Sequence, residues 1–238
     1  MYTSTNNDFI KRIKKLNEKK YRDIYNEFLV EGEHLVLEAL KSNLIKHIIV
    51  QDDYNFDYDD KIIVNNKVMK YISNLDNPSG IIGVCEKNNN KKIENKLLIL
   101  DNIQDPGNLG TIIRSAVAFN FDTIILSKDT VDLYNSKVIR ATQGMLFKIN
   151  IIITEIDEFI NNLDGYNIIG TDVVNGKNIK DFKNLEKFAI IMGNEGKGVS
   201  EKIKKLCSDN IYIPISSTCE SLNVGVAASI IMYELGGL

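Results

Sequence analysis

The sequence predicts an α/β protein whose larger, C-terminal part is built on a parallel sheet. Three observations predict this. Strand-length apolar runs alternate with helical patterns over residues 96–238. Polar or glycine-rich residues directly follow several of those runs, where open α/β sheets place their ligands. The most polar stretch, Lys87-Asn-Asn-Asn-Lys-Lys-Ile-Glu-Asn95, lacks apolar periodicity and reads as a linker. It divides a smaller α/β domain, residues 1–90, from a larger one, residues 96–238.

The first domain opens on a basic amphipathic stretch. Phe9, Ile10, Ile13 and Leu16 recur at helical spacing, surrounded by Lys11, Arg12, Lys14, Lys15, Lys19, Lys20 and Arg22. Only Asp8 and Glu18 oppose those seven cations, so local charge suits a phosphate backbone although the whole chain carries −3. After Phe28-Leu-Val-Glu-Gly-Glu33, a helical pattern runs through Leu35, Leu37 and Leu40. Runs at His47–Val50, Lys61–Val64 and Ile81–Cys85 read as strands.

In the second domain the strand-like runs are Leu97–Leu100, Thr123–Ser127, Ile149–Ile153, Asn167–Thr171, Phe188–Met192 and Ile211–Pro214. Three of them lead into segments that carry chemistry. After Leu100, Pro106-Gly107 marks a turn and Asn108 is a suitable N-cap. Leu109, Ile112, Ile113, Ala116 and Val117 then form one helical face, while Gly107, Gly110, Thr111 and Arg114 share another. After Met192, Gly193-Asn-Glu-Gly-Lys-Gly198 is a glycine-rich turn that lets a ligand approach backbone. It is neither a P-loop nor a G-x-G-x-x-G fingerprint. After Pro214, a polar loop with Glu220, Ser221 and Asn223 enters a helix from Leu222 to Leu235. That helix is apolar nearly all round and requires cover from the core or a partner subunit.

Hydrophobic residues form 44% and charged residues 26% of the 238, the balance of a globular protein. Cys85, Cys207 and Cys219 are too widely spaced for a zinc site or a disulfide framework, so no metal is expected. There is no leader-like apolar region and no run long enough to span a membrane, so a cytoplasmic location is expected.

Taken together and in order, the three segments resemble the SpoU/TrmH family of RNA ribose 2′-O-methyltransferases. Asn108 and Arg114 match the first family motif. Gly193, Glu195, Gly196 and Gly198 match the glycine-glutamate-glycine motif. Ile213, Pro214, Ser221, Leu222, Asn223 and Val224 match the Ile-Pro…Ser-Leu-Asn-Val motif. Residues 1–90 resemble the L30e-like substrate-binding domain that often precedes this catalytic domain, through Phe28–Glu33 and Asn77-Pro-Ser-Gly-Ile-Ile82. Two positions depart from the family pattern: Met145 replaces the usual alanine of Arg140-Ala-Thr-Gln-Gly-Met145, and Gly225 replaces a common serine.

The resemblance implies a SPOUT fold with a deep trefoil knot, a homodimer and S-adenosylmethionine as cofactor. It assigns Gly193, Gly198, Ile213, Pro214, Ser221 and Leu222 to cofactor binding. Arg114 is implied as the catalytic arginine, with Asn108 and Asn223 orienting the ribose and Arg114, and Glu195 positioning the loop or the partner's groups. The N-terminal cations Lys11 to Arg22 are expected to bind RNA. Ribosomal RNA, in particular 23S RNA, is the expected substrate. A transfer-RNA methyltransferase is the alternative, and a non-catalytic RNA-binding module is the rival outside enzymes.

Overall fold

The computed structural model describes residues 1–87, 92–173, 175–182 and 185–236, so residues 88–91 of the expected linker lie outside the described residues. The chain forms two compact units. One holds Met1–Asn89 with Asp132–Phe147, and the other holds Asn90–Val131 with Lys148–Leu238. The sequence gives no sign that residues 132–147 leave the larger unit. Phe28 shows why they do: its ring stands 4.6 Å from Tyr134 and 6.3 Å from Phe147.

In the first unit, α1 (Asp8–Lys15) and α2 (Lys19–Tyr25) lead into β1 (Glu27–Glu31), α3 (Glu33–Lys41), β2 (Ile45–Gln51), β3 (Lys61–Val64), α4 (Asn66–Ile72) and β4 (Ile81–Glu86). The sheet order is β1-β4-β2-β3, with β4 antiparallel to both neighbours and β2 parallel to β3. Asn7 starts α1 by accepting from the Phe9 and Ile10 amides, and basic residues close its last turn. Ile10, Ile13 and Leu16 then share a core with Val68, Met69 and Ile72 of α4. The N-cap of α4 is Asn65, whose side chain accepts from Val68 N.

Strand β1 is buried along its whole length, including both glutamates, and each carboxylate is compensated. Glu27 meets Arg12 at 2.6 Å and Lys46 at 3.3 Å. Glu31 accepts from Ser73 Oγ at 2.5 Å and Asn74 N at 2.8 Å. Within the same unit α6 (Ser136–Thr142), which follows three elements of the second unit in chain order, ends on Gln143 and Gly144, both at positive φ. The Glu38 side chain occupies the space a Cβ on Gly144 would need.

The second unit contains β5 (Lys96–Leu100), α5 (Pro106–Ala118), β6 (Thr123–Ser127), β7 (Asn150–Thr154), α7 (Ile156–Asn161), β8 (Asn167–Thr171), β9 (Lys177–Asn178), β10 (Phe188–Met192), α8 (Glu201–Lys204), β11 (Asp209–Tyr212) and α9 (Val224–Gly236). Its strands run in the order β7-β6-β5-β10-β8-β11-β9, and every pairing is parallel. Strands β5, β6 and β10 are near-continuous Ile/Leu runs because both faces of a parallel sheet are covered. Burying each such side chain contributes roughly 1.5–3 kcal/mol.

Two boundaries differ from the sequence reading. Strand β11 ends at Tyr212 rather than Pro214, since proline has no N–H to continue the ladder. Helix α9 begins at Val224 rather than Leu222. Among the described residues, no helix is long and apolar enough to cross a membrane.

Candidate active site

Strands β10, β8 and β11 are neighbours, and their carboxyl ends open on one cavity of about 480 Å³. Three chain segments wall it. Thr171 ends β8 and Asp172 and Val173 follow it, Gly193–Val199 follow β10, and Ile213, Ile215 and Glu220–Leu222 follow β11. Val224, Ala227 and Ile231 of α9 complete the apolar side. The strand order thus gathers loops far apart in sequence at the place where α/β sheets bind ligands.

The β10 loop has little freedom. A Cβ on Gly193 would overlap the Gly198 carbonyl carbon and the Val199 nitrogen, so only glycine permits this backbone approach. Asn194 and Gly198 exchange backbone hydrogen bonds of 3.0 and 2.9 Å. The Asn194 side chain accepts from Gly196 N and Lys197 N at 3.0 and 3.1 Å, and donates to Asn102 O at 2.8 Å. The loop is therefore tied to the turn that follows β5.

Glu195 extends that tie. Its carboxylate accepts from the backbone N–H groups of Gln104 and Asp105, at 3.2 and 3.0 Å, and from Asn108 Nδ2 at 3.0 Å. Asn108 Oδ1 accepts in turn from Asn223 Nδ2 at 2.9 Å, and Asn223 Oδ1 accepts from Gly225 N and Val226 N. One chain of hydrogen bonds links the starts of α5 and α9 to the β10 loop. Partial burial pushes the Glu195 carboxyl upward, but donation by Asn108 and by backbone N–H groups outweighs it, leaving the group below its ordinary range.

This geometry corrects several expectations. Asp105, not Asn108, caps α5, accepting from Asn108 N at 2.8 Å, with Pro106 at the first helical position. Asn223 caps α9. Gly110 is buried one turn before the exposed Arg114. Asn108 and Asn223 bond to each other, to Glu195 and to backbone, and neither bonds to Arg114. Arg114 is exposed on α5, and among the described residues no hydrogen bond or ion pair engages its guanidinium.

Helices α5 and α9 pack side by side in parallel. Below the Asn108–Asn223 pair, Thr111 lies against Gly225, Ser115 Oγ meets Ser229 Oγ at 2.7 Å, and the Phe119 and Tyr233 rings meet edge-on at 5.7 Å. Small residues let the two backbones approach. The Cβ of a serine at 225 would stand in ordinary contact with Thr111 Cγ2 at 3.4 Å, and closer, at 3.2 Å, to the capping Asn223 Oδ1.

Of the expected cofactor residues, Gly193, Gly198, Ile213, Ser221 and Leu222 line the cavity, as does Glu195, whereas Pro214 does not. Sequence reading missed Thr171, Asp172 and Val173. Their only signal is position at the carboxyl end of a strand, without a glycine-rich turn after it. Apolar walls from Met192, Ile211, Ile213, Leu222 and Ile231, with polar groups at Thr171, Asp172, Glu195 and Glu220, suit a nucleoside bearing a polar tail. The fit to S-adenosylmethionine is therefore good in size and chemistry.

Of the N-terminal cations, Arg22 is not a surface group. It is 6% exposed, donates from Nη1 to Leu16 O at 2.8 Å and pairs with Asp132. Arg12 is committed to Glu27. Lys11, Lys14, Lys15, Lys19 and Lys20 form no ion pair among the described residues.

Comparison with known proteins agrees with this geometry. Residues 95–233 match the SpoU rRNA Methylase family, and residues 7–83 match the MRM3-like substrate binding domain. The 23S rRNA (guanosine(2553)-2′-O)-methyltransferase RlmP of Bacillus subtilis is 37% identical over 243 residues, which cover 98% of each chain. An AdoMet-bound rRNA methyltransferase from Sinorhizobium meliloti superposes with a TM-score of 0.84 at 29% identity, covering 98% of this chain and 95% of that one. The SpoU methyltransferase AviRb of Streptomyces viridochromogenes shares the fold, with a TM-score of 0.85 at 22% identity over 96% of this chain and 97% of that one.

Proposed function

The chain belongs to the SpoU rRNA methylase family, and from that premise we propose that it methylates a ribose 2′-hydroxyl of 23S ribosomal RNA with S-adenosylmethionine as donor. The observation that carries this reading is the cavity where the β8, β10 and β11 loops meet, tied through Glu195 and Asn108 to the helix that bears Arg114. Similarity to RlmP along nearly the whole of both chains supports ribosomal over transfer RNA, and the corresponding guanosine as the target.

S-adenosylmethionine supplies an electrophilic methyl group on a sulfonium when bound. The chain's own residues then have two tasks, orientation and nucleophile activation. The residues that would hold the cofactor are Gly193, Gly198, Ile213, Ser221 and Leu222, with Thr171 and Asp172 added from the structure. Arg114 keeps its planar fork free for the substrate, where it grips a phosphate oxygen and stabilises charge developing on the ribose oxygen. Guanidinium hardly deprotonates in proteins, so Arg114 acts as a cation rather than as a literal base. Glu195, Asn108 and Asn223 are positioning residues that hold α5, and hence Arg114, against the cavity.

Two further features belong to this reading. On α9, Val226 is 47% and Tyr233 62% exposed, one face of an otherwise apolar helix. That face supports a homodimer in which a second copy covers it. The insertion of β10 between β5 and β8, followed by return of the chain to pack α9 on α5, supports the trefoil knot. Lys11, Lys14, Lys15, Lys19 and Lys20 supply phosphate contacts, and action on ribosomal RNA supports a cytoplasmic location.

The test is methyl transfer to unmodified 23S and transfer-RNA transcripts offered separately. Transfer to 23S RNA alone is expected. Transfer to transfer RNA alone overturns the substrate, and transfer to neither, by folded protein, overturns the enzyme.

A further inference from the structure

Some lysines of the first unit are neutralised and others are not. Lys41, Lys46 and Lys87 pair with nearby carboxylates. The five lysines of α1 and α2 have no such partner among the described residues, and neither have Lys67 and Lys70 on the exposed side of α4. Helices α1 and α4 share one buried core, so their outer faces are adjacent. Asp8 and Glu18 are exposed close by, but seven unneutralised cations dominate this surface.

Tyrosines are interleaved with these cations. Lys14 Nζ lies 5.6 Å from the centre of the Tyr71 ring, joining α1 to α4. Lys15 and Lys20 lie 5.1 and 5.6 Å from the Tyr21 ring. Tyr21 stacks on Tyr25 at 6.3 Å with 19° between the planes. Tyr71 is 37% exposed, and Ile24, one turn along from Tyr21, is 60% exposed. Burial alone does not explain aromatic and aliphatic surface left open inside a cationic field.

Free cations beside rings are the means by which proteins hold single-stranded nucleic acid: charge follows the backbone and rings take the bases. We propose that α1, α2 and α4 form a track for unpaired RNA, with Tyr21 and Tyr71 as stacking platforms and Lys14, Lys15, Lys20, Lys67 and Lys70 holding the phosphates between them. This rests on RNA being the substrate. It adds that the protein grips its target through an unpaired segment. A duplex offers phosphates but keeps its base faces stacked, and would leave both rings unused.

The experiment measures Kd for a short unstructured RNA carrying 2-aminopurine and for a duplex of equal length, and kcat and KM for methyl transfer to 23S RNA. Wild-type protein is compared with Tyr21→Ala, Tyr71→Ala and the corresponding phenylalanine variants. Each alanine variant is expected to bind single-stranded RNA about tenfold more weakly and to raise KM with kcat unchanged. Phenylalanine should restore both, and 2-aminopurine quenching should follow affinity. Lys67→Gln with Lys70→Gln should flatten the salt dependence without changing the quenching reached at saturation. Alanine variants that retain wild-type KM while the wild type methylates RNA would overturn the track and leave the proposed function intact, as would equal loss of duplex binding. A wild type that neither binds nor methylates RNA would overturn both.

Discussion

Asn108 and Asn223, 115 residues apart in sequence, share a hydrogen bond of 2.9 Å that joins the first turn of α5 to the cap of α9. The remaining donor of the relay, Asn108 Nδ2, goes to Glu195 at 3.0 Å. The three family motifs thus meet in one polar chain beside the cavity.

Asn108→Ala removes two of these bonds at once, one of them to a carboxylate. A loss of about 1–2 kcal/mol is expected, because hydrogen bonds to charged groups are worth more than neutral ones. Urea unfolding measures it. Methyl transfer should fall more steeply than stability, since α5 loses its register on the β10 loop. Equal activity in a stably folded variant would remove Asn108 from the machinery.

Glu195 has a definite pH signature. Its folded carboxyl is held below the ordinary range, so its stabilising contribution is present above the unfolded value and is lost as pH falls through the folded one. Cofactor affinity, followed by calorimetry, should decline on the acid side in the wild type. Glu195→Gln should start lower and show a flatter acid limb. An identical acid limb in both would show that another group titrates.

Arg114→Lys tests the planar fork. Arg114 is exposed and unpaired among the described residues, so thermal stability should stay within about 0.5 kcal/mol of wild type. Cofactor binding should be unchanged, while kcat falls about a hundredfold because lysine cannot grip two oxygens at once. Full activity would show that a point charge suffices.

Gly193→Ala and Gly198→Ala separate crowding from conformation. At Gly193 a methyl group overlaps the backbone of Gly198 and Val199, whereas at Gly198 nothing lies within 4 Å but φ is +67°. The first should lose cofactor binding altogether, with an overpacking cost of about 1–3 kcal/mol. The second should lose only about 1 kcal/mol from its left-handed backbone. Isothermal titration separates them, and equal losses would contradict the close approach seen at Gly193.

Tyr233→Asp places a charge on the exposed face of α9. Sedimentation should find a dimer for the wild type and a monomer for the variant. A dimer unaffected by the change would move the interface elsewhere.

Much of this was legible in the sequence. The Ile/Leu runs of β5, β6 and β10 announce a parallel sheet because both of its faces are buried. The glycines at 193 and 198 mark the loop, because a Cβ at 193 would overlap backbone and the left-handed backbone at 198 favours glycine. What stayed hidden depends on long-range packing. Residues 132–147 join the first unit through ring contacts to Phe28, which no local pattern encodes. Arg22 looks like a surface cation until Asp132, 110 positions away, is brought to it. Thr171 and Asp172 enter the cavity only because β8 lies between β10 and β11, and strand order is not written in hydropathy. The roles of Asn108 and Asp105 at the start of α5 could not be separated by propensity, since both are good caps.

The most direct test of the central claim is where the methyl group ends up. Unmodified 23S RNA, labelled by the protein with methyl-labelled S-adenosylmethionine, is hydrolysed in alkali. Methylation of a ribose 2′-hydroxyl blocks cleavage of its own 3′ linkage, so label is expected in an alkali-resistant dinucleotide, accumulating far more slowly with Arg114→Lys. Label released as an ordinary mononucleotide would place the methyl on a base and contradict the account.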